Sequence, residues 1–313
     1  MAAPLHPDCL TLLEMIRAAG RQPLELMETA PARAQYAAGR IVLQPPPPEV
    51  ATARDLRLPS GVAMRLYRPL GSDAGDILPC LILAHGGGWV FGDLATHDHL
   101  ARSLCNAAGC AVLAVDYRLA PEHPFPAAID DYAEAVAYAA SHAARLGIDA
   151  TRLAVGGDSA GGNLAAVAAL MARDGSLPPL RFQLLLYPVT DMAQGHDSYA
   201  RFTTGLPLTS AGMRWFRDRY APDPACWTDW RASPLRAVTL SGTPSAFVLT
   251  VGHDPLCDEG SDYARRLERE GVPVHHLHAA GLLHGALTMG AVIRPALDLI
   301  EMAGLALRRG LAG

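Results

Sequence analysis

The chain has 313 residues, of which 50% are hydrophobic, and it carries a formal net charge of -5 at pH 7. This length is sufficient for one large α/β domain with an insertion or for two modest domains. A negative charge without a basic run argues against nucleic-acid binding. Asp8, Glu14 and Arg17 stand where a signal peptide needs an apolar centre, and no apolar run approaches the roughly 18 residues of a membrane span. We therefore expect a cytoplasmic protein that does not insert into membranes.

The sequence contains no lysine, so all 26 of its basic residues are arginine. This excludes the P-loop lysine, Schiff-base catalysis and the Ser-x-x-Lys nucleophile. The glycine-rich stretch 86–91 ends in Phe91, where a dinucleotide-binding fingerprint needs glycine or alanine. The six cysteines are scattered without a Cys-x-x-Cys pair, which is typical of free thiols in a reducing compartment. We expect no cofactor.

Residues 1–45 have apolar positions at helical spacing and end at a run of four prolines, 45–48. The alternating runs 55–58 and 64–68 predict an antiparallel hairpin. Helical patterns then lie near 97–108, 127–145, 163–173 and 260–270. Between them, buried strands are predicted at 81–84, 111–115, 153–155, 184–187, 247–251 and 274–277. This alternation predicts a mostly parallel sheet covered by helices on both faces, with ligands at the carboxyl ends of the strands.

The alternation of strands and helices is interrupted between residues 191 and 236. This segment is rich in aromatic residues and has no clear strand. An ordinary peripheral insertion would explain it, but we favour a cap that covers the site together with the N-terminal helices. The predicted organisation is an N-terminal helical cap segment (1–48), a catalytic domain (49–190 and 237–313) and a cap insertion (191–236).

The residues 153–163 contain the sequence Gly-Asp-Ser-Ala-Gly between an apolar strand-like run and a helical pattern of small residues. This is the context of a nucleophile elbow, in which a sharp turn exposes the serine hydroxyl at the start of a helix. Gly157 and Gly161 must lack side chains there, because strand and helix pass closely. Ser159 is the predicted nucleophile.

A glycine-rich loop, His-Gly-Gly-Gly-Trp, directly follows the predicted strand 81–84. In an acyl-transfer enzyme such a loop lets backbone N–H groups approach the oxygen that becomes negatively charged in the transition state. We predict that the N–H groups of Gly87 and Gly88 form this oxyanion hole, with the N–H of Ala160 as a third donor. A plain glycine loop would not explain why both loops follow strands in the expected order.

The remaining catalytic groups are predicted from their places after the last two strands. Asp254 lies just past the strand 247–251, and His284 lies in a loop downstream of it, which completes the order Ser, Asp, His. Asp191 is a weaker rival for the acid. Asp258 is better explained as the N-cap of the next helix.

Several histidines compete with His284 for the role of base. His275, His276 and His278 belong to the last predicted strand or its end, where surface or packing roles are expected. His97 and His99 flank Asp98 and could suggest a metal ion, but a third ligand of matching spacing is missing. A solvated helix start is the preferred interpretation, and no metal is expected.

With these motifs, the chain resembles a bacterial member of the hormone-sensitive-lipase-like family of α/β-hydrolase carboxylesterases. The motifs are the glycine loop followed by Val-Phe-Gly-Asp, Tyr-Arg-Leu-Ala-Pro-Glu at 117–122, Gly-Asp-Ser-Ala-Gly, Asp-Pro-Leu at 254–256 and His-Gly at 284–285. The likeness spans about residues 80–290. It implies cofactor-independent hydrolysis of short- to medium-chain acyl esters through a Ser-His-Asp triad and an acyl-enzyme. It also allows a homodimer that pairs through the edge strand near Val274.

The chain departs from the family pattern at two positions. Cys257 replaces a basic residue after the acid, and Ala286 replaces an aromatic residue that often follows His-Gly, which would enlarge the pocket. Neither change removes a catalytic group. Two alternatives remain: a deacetylase, lactonase or amidase with the same triad, and a non-catalytic ligand-binding receptor on a hydrolase fold.

Overall fold

A single mixed sheet organises the chain in a computed structural model, which describes residues 3–312. In that range the sheet has eight strands, in the spatial order β1-β2-β4-β3-β5-β6-β7-β8. The strands β1 and β2 are antiparallel to each other, β2 is antiparallel to β4, and all other pairs are parallel. The strand bounds are β1 Thr52–Arg57, β2 Ala63–Arg68, β3 Leu78–Ala84, β4 Ala111–Asp116, β5 Ile148–Asp158, β6 Phe182–Leu186, β7 Ser245–His253 and β8 Val274–Leu283.

The helices follow the strands as a parallel sheet requires, because each crossover must return the chain to the same end of the sheet. The α-helices are α1 Pro7–Ala18, α2 Thr29–Leu43, α3 Asp98–Ala108, α4 Ala127–Ser141, α5 Ala143–Leu146, α6 Ala160–Arg173, α7 Asp197–Arg201, α8 Ser210–Tyr220, α9 Cys257–Arg269 and α10 Pro295–Ala312. Short 3₁₀ turns lie at Leu24–Leu26, Pro224–Thr228, Pro234–Arg236 and Ala286–Thr288.

The predicted α/β fold is confirmed: all six predicted buried strands and the hairpin belong to this sheet. The strand predicted to end at Tyr187 ends at Leu186, because Tyr187 has a φ of +38° and turns away from the sheet. The helical pattern 127–145 forms two helices, α4 and α5. The C-terminal helix α10 was not predicted.

Apolar side chains that alternate along the central strands build two cores, one on each face of the sheet. On β3, Ile82 packs into the core that contains residues of α4 and α6. Its neighbours Leu81 and Leu83 pack on the opposite face with residues of α3 and α10. Strands buried on both faces read as continuous apolar runs, which is why they were visible in the sequence.

The N-terminal segment and the insertion between β6 and β7 meet each other over the carboxyl ends of the strands. The Thr209 hydroxyl donates to Glu25 at 3.1 Å, and Arg219 donates to the Thr29 hydroxyl at 3.2 Å. Arg33 of α2 donates to the carbonyl oxygens of Val90 and Ala120, at 2.7 Å each. These contacts hold α2 against the loop that follows β3.

Candidate active site

Ser159 lies between the end of β5 and the first residue of α6, in a turn that few residues with a side chain adopt. Its φ is +54° and its ψ is -116°. A Cβ atom on Gly157 or on Gly161 would overlap the carbonyl oxygen of Ala84 on the neighbouring strand. Both glycines are therefore required for the close passage of strand and helix, as the sequence predicts.

His284 connects Ser159 to Asp254. Its Nε2 atom lies 2.9 Å from the Ser159 hydroxyl oxygen, and its Nδ1 atom lies 2.7 Å from Asp254 Oδ2. Asp254 follows β7 and is fully buried, and its other oxygen accepts the N–H of Leu256 at 2.8 Å. Because the carboxylate accepts from Nδ1, that nitrogen carries the proton and Nε2 is free to accept one from Ser159. The structure thus brings together the three residues predicted from three separate loops.

The glycine loop after β3 faces the Ser159 hydroxyl across the same cavity. Gly87 and Gly88 have φ values of +124° and +61°, and both line the cavity with Ser159. Within residues 3–312, neither of their N–H groups has a hydrogen-bond acceptor. Ala160 opens α6, so its N–H has no acceptor inside the helix. None of these three backbone N–H groups is therefore taken up by a backbone acceptor among the described residues.

Side chains and backbone from the stretch after β4 hold the glycine loop in place. The Tyr117 hydroxyl donates to the carbonyl oxygen of His85 at 2.7 Å, and its ring stacks on the His85 ring at 4.2 Å. The N–H of Ala120 donates to the carbonyl oxygen of Trp89 at 2.8 Å. This stretch supports the loop structurally and contacts no candidate catalytic atom.

A buried ionic network lies behind Ser159. Asp158 accepts the N–H of Gly86 at 2.8 Å, and its carboxylate lies 3.3 Å from His97 Nε2. Burial alone would raise the pKa of Asp158, but His97 and the Gly86 N–H hold it below its ordinary value. Burial, together with the smaller effect of the nearby His97, lowers the pKa of His85 to about 4. The glycine loop is thus tied to the nucleophile's own strand by a charged hydrogen bond.

The prediction of a solvated helix start at residues 97–99 was wrong, because His97 and His99 are both buried. Helix α3 does begin there, with His97 as its N-cap. The alternative metal site gains no support: within residues 3–312, no group of three His, Cys, Asp or Glu side chains is placed to hold a metal ion. Of the helices in the same range, none has the length and apolar character needed to cross a bilayer.

The rival residues lie away from Ser159 and have other partners. Asp191 receives two hydrogen bonds from Arg236, at 2.7 and 3.0 Å. His276 and His278 of β8 both contact the hydroxyl of Thr250, on the neighbouring strand β7, at 2.9 Å. Asp258 is not an N-cap, because α9 begins one residue earlier; its carboxylate accepts from Arg201 and from the N–H of Ser198 instead.

The cavity over Ser159 has a volume of about 120 Å³ and a mostly apolar lining. Ala286 is buried in the core and is not among the lining residues, so the expectation that it enlarges the pocket was wrong. Sequence reasoning also missed Arg40 of α2, which is one of the residues that line this cavity. The lining residues are Leu24, Tyr36, Arg40, Gly87, Gly88, Phe91, Asp158, Ser159, Val189, Pro207, Leu208, Met213, Phe216, His284 and Gly285.

Known proteins resemble this chain over nearly its whole length. Residues 81–288 match a protein family that is described as having the α/β hydrolase fold. An ethyl acetate hydrolase of Pseudomonas putida is 37% identical over 98% of this chain and 99% of its own length. The carboxylesterase NlhH of Mycobacterium tuberculosis is 40% identical over 80% of this chain and 79% of its own. One similar solved structure is the ester hydrolase EH1AB1 from the metagenome of Lake Arreo, in complex with a bipyridine phosphonate derivative. It is 40% identical to this chain with a TM-score of 0.94, and the match covers 99% of this chain and 100% of that one.

Proposed function

The chain belongs to the α/β-hydrolase family, and on that premise we propose that it is a serine carboxylesterase of the hormone-sensitive-lipase-like type. The observation that carries the proposal is the position of His284, with Ser159 at 2.9 Å on one side and Asp254 at 2.7 Å on the other. This is the arrangement of a nucleophile, a general base and the acid that orients the base. The names of the relatives support ester hydrolysis as the reaction.

In the first half of the reaction, His284 Nε2 takes the proton of Ser159 as the hydroxyl oxygen attacks the ester carbonyl. The carbonyl oxygen becomes an anion and is bound by the N–H groups of Gly87, Gly88 and Ala160. Each such donor typically contributes about 2.7–4 kcal/mol to the transition state. The protonated His284 then gives its proton to the departing alcohol, and the acyl group remains on Ser159 as an ester.

In the second half, His284 removes a proton from water, and the resulting oxygen nucleophile attacks the acyl-enzyme. The same donors bind the second oxyanion, and collapse returns the proton to Ser159 and releases the carboxylic acid. Asp254 keeps the imidazole in the tautomer with the proton on Nδ1 and stabilises the imidazolium in both halves.

The substrates that this site supports best are short esters. The cavity of about 120 Å³ is small beside the roughly 300–1,000 Å³ of sites for drug-sized ligands. Seven of its fifteen lining residues come from the N-terminal segment and the insertion 191–236, which we propose act as the cap. The name of the ethyl acetate hydrolase relative agrees with a short acyl preference.

The proposal is tested by hydrolysis of a p-nitrophenyl ester series from acetate to palmitate with wild-type protein and Ser159→Ala. Ser141→Ala, which changes an exposed serine of α4, is the matched control. We expect activity that peaks at short chains, a loss of at least about 10³-fold in Ser159→Ala, and wild-type activity in the control. Wild-type rates in Ser159→Ala would exclude this nucleophile, and inactivity of the wild-type protein on every ester would exclude the function.

A further inference from the structure

Arg40 of α2 lines the active-site cavity together with Ser159, and it also lines an adjacent surface cavity. Its Nη1 atom is buried, and within residues 3–312 it has no hydrogen-bond acceptor. A buried donor on a cation is costly when it has no acceptor, because it has lost water and gained nothing in exchange. Arg40 lines the active-site cavity, so a ligand bound there can supply the acceptor that the described protein atoms do not.

Neighbouring side chains hold the guanidinium in place without supplying that acceptor. Its central carbon lies 4.6 Å from the centre of the Tyr36 ring, one helical turn away on α2. Tyr36 in turn packs against Phe91, with ring centres 5.3 Å apart. On the other side, Arg40 contacts the residue after the proposed base: a Cβ atom on Gly285 would lie 3.4 Å from Nη2. The cation is therefore positioned beside the catalytic groups before a substrate arrives.

The carboxylates near Arg40 already have other partners. Asp158 accepts from the Gly86 N–H and lies next to His97. Asp93, in an adjacent surface cavity, accepts the N–H of Thr96 at 2.7 Å. In the described part of the chain, Arg40 forms no ion pair. The positive charge at the cavity wall is therefore not neutralised by the protein.

We propose that Arg40 binds a carboxylate on the substrate, so that the preferred substrates are small esters that carry one anionic group. This proposal rests on the esterase function proposed above. A guanidinium presents two parallel N–H donors that match the two oxygens of a carboxylate, which a point charge does not. The small cavity keeps the carboxylate close to Arg40 whether it belongs to the acyl part or to the alcohol part of the ester.

Two pairs of substrates separate these sources while keeping shape constant. Monoethyl succinate and its primary amide place the anion, or its neutral counterpart, on the acyl part. O-acetylglycolate and O-acetylglycolamide place it on the alcohol part. Rates measured as acid release give kcat/KM for each, and the ratio of carboxylate to amide within a pair reports the charge. We expect a ratio above about 10 in at least one pair with wild-type protein.

Three variants assign that ratio to Arg40. Arg40→Met should reduce it about 10- to 100-fold, mainly through KM, because the lost contact binds ground state and transition state alike. Arg40→Lys keeps the charge but not the paired donors and should give an intermediate ratio, which also serves if Arg40→Met does not fold. Arg17→Met removes one exposed arginine of α1 and should leave the ratio unchanged.

The outcomes distinguish this proposal from the esterase function. A wild-type ratio near or below 1 in both pairs, with the amides still hydrolysed, would overturn the role of Arg40 and leave the esterase intact. A high ratio that persists in both Arg40 variants would also overturn it. Failure of wild-type protein on all four substrates and on p-nitrophenyl acetate would instead overturn the esterase function.

Discussion

Replacing Ser159 with glycine should stabilise the protein while it removes the nucleophile. Ser159 holds a φ of +54° and a ψ of -116°, which is the conformation of the first central residue in a type II′ turn. Glycine adopts it freely, whereas a residue with a Cβ atom is strained by about 1–3 kcal/mol. Ser159→Ala keeps that Cβ atom. Both variants lose the hydroxyl, so the difference between them isolates the backbone strain.

The expected difference is about 1 kcal/mol in the free energy of unfolding, with glycine more stable. Glycine relieves a backbone strain of about 2 kcal/mol in the folded protein. Its greater freedom in the unfolded chain offsets about 0.5–1 kcal/mol of that gain. The loss of the methyl group costs little more, because the side chain borders the cavity rather than the closed core. For a chain of this length, 1 kcal/mol corresponds to a Tm change of about 2 °C.

Urea denaturation at equilibrium measures this difference, with circular dichroism as the signal. The Ser159→Gly midpoint should exceed that of Ser159→Ala at an equal slope m, since the surface exposed on unfolding does not change. Residual esterase activity serves as a check that both variants lack the nucleophile. Equal midpoints, or a lower one for Ser159→Gly, would refute the assignment of strain to this residue.

Two further predictions concern the support of the site. Burial raises the pKa of Glu259 from 4.5 to about 8, against hydrogen bonds from a backbone N–H and the Tyr199 hydroxyl. Its stabilising effect is therefore complete below pH 4.5 and lost as the pH rises to 8, so unfolding free energy should fall by about 3–5 kcal/mol across that window. Glu259→Gln should flatten the decline in urea titrations between pH 5 and 8.5, and an unchanged slope would contradict this. Gly161→Ala should cost about 3 kcal/mol or prevent folding, because its Cβ atom would overlap the Ala84 carbonyl; Gly75→Ala, with open space around it, is the control in thermal melts, and equal melts would refute the overlap.

The fold and the centre of the candidate site could be predicted because their signals are local. The central parallel strands are buried on both faces, so each contains a continuous apolar run, whereas the edge strand β8 is largely exposed. Ser159 and Asp254 directly follow two of the central strands and His284 directly follows β8, and parallel strands bring their carboxyl ends to one edge. A correct assignment of strands is then sufficient to place these side chains near one another.

The walls of the cavity could not be predicted, because they depend on contacts between distant segments. Arg40 belongs to a helix whose sequence pattern shows only an apolar face, and its approach to Ser159 follows from how α2 packs over the sheet. The burial of His97, at the start of α3, depends on Asp158, which lies at the end of β5. Asp258 was misassigned because its partners, Ser198 and Arg201, come from the insertion. Each of these outcomes is set by tertiary packing rather than by local spacing.

The position of β8 has a consequence for how activity fails. Within the described residues β8 is an edge strand that pairs only with β7, whereas β5, which ends directly before Ser159, is paired on both sides. Edge strands open more readily than central ones because fewer contacts hold them. Opening of this edge would withdraw His284 from an otherwise intact nucleophile turn, so turnover would cease while most of the sheet remained folded. In the proposed mechanism, activity therefore depends on the edge of the sheet through His284, whereas Ser159 is held by the interior of the sheet.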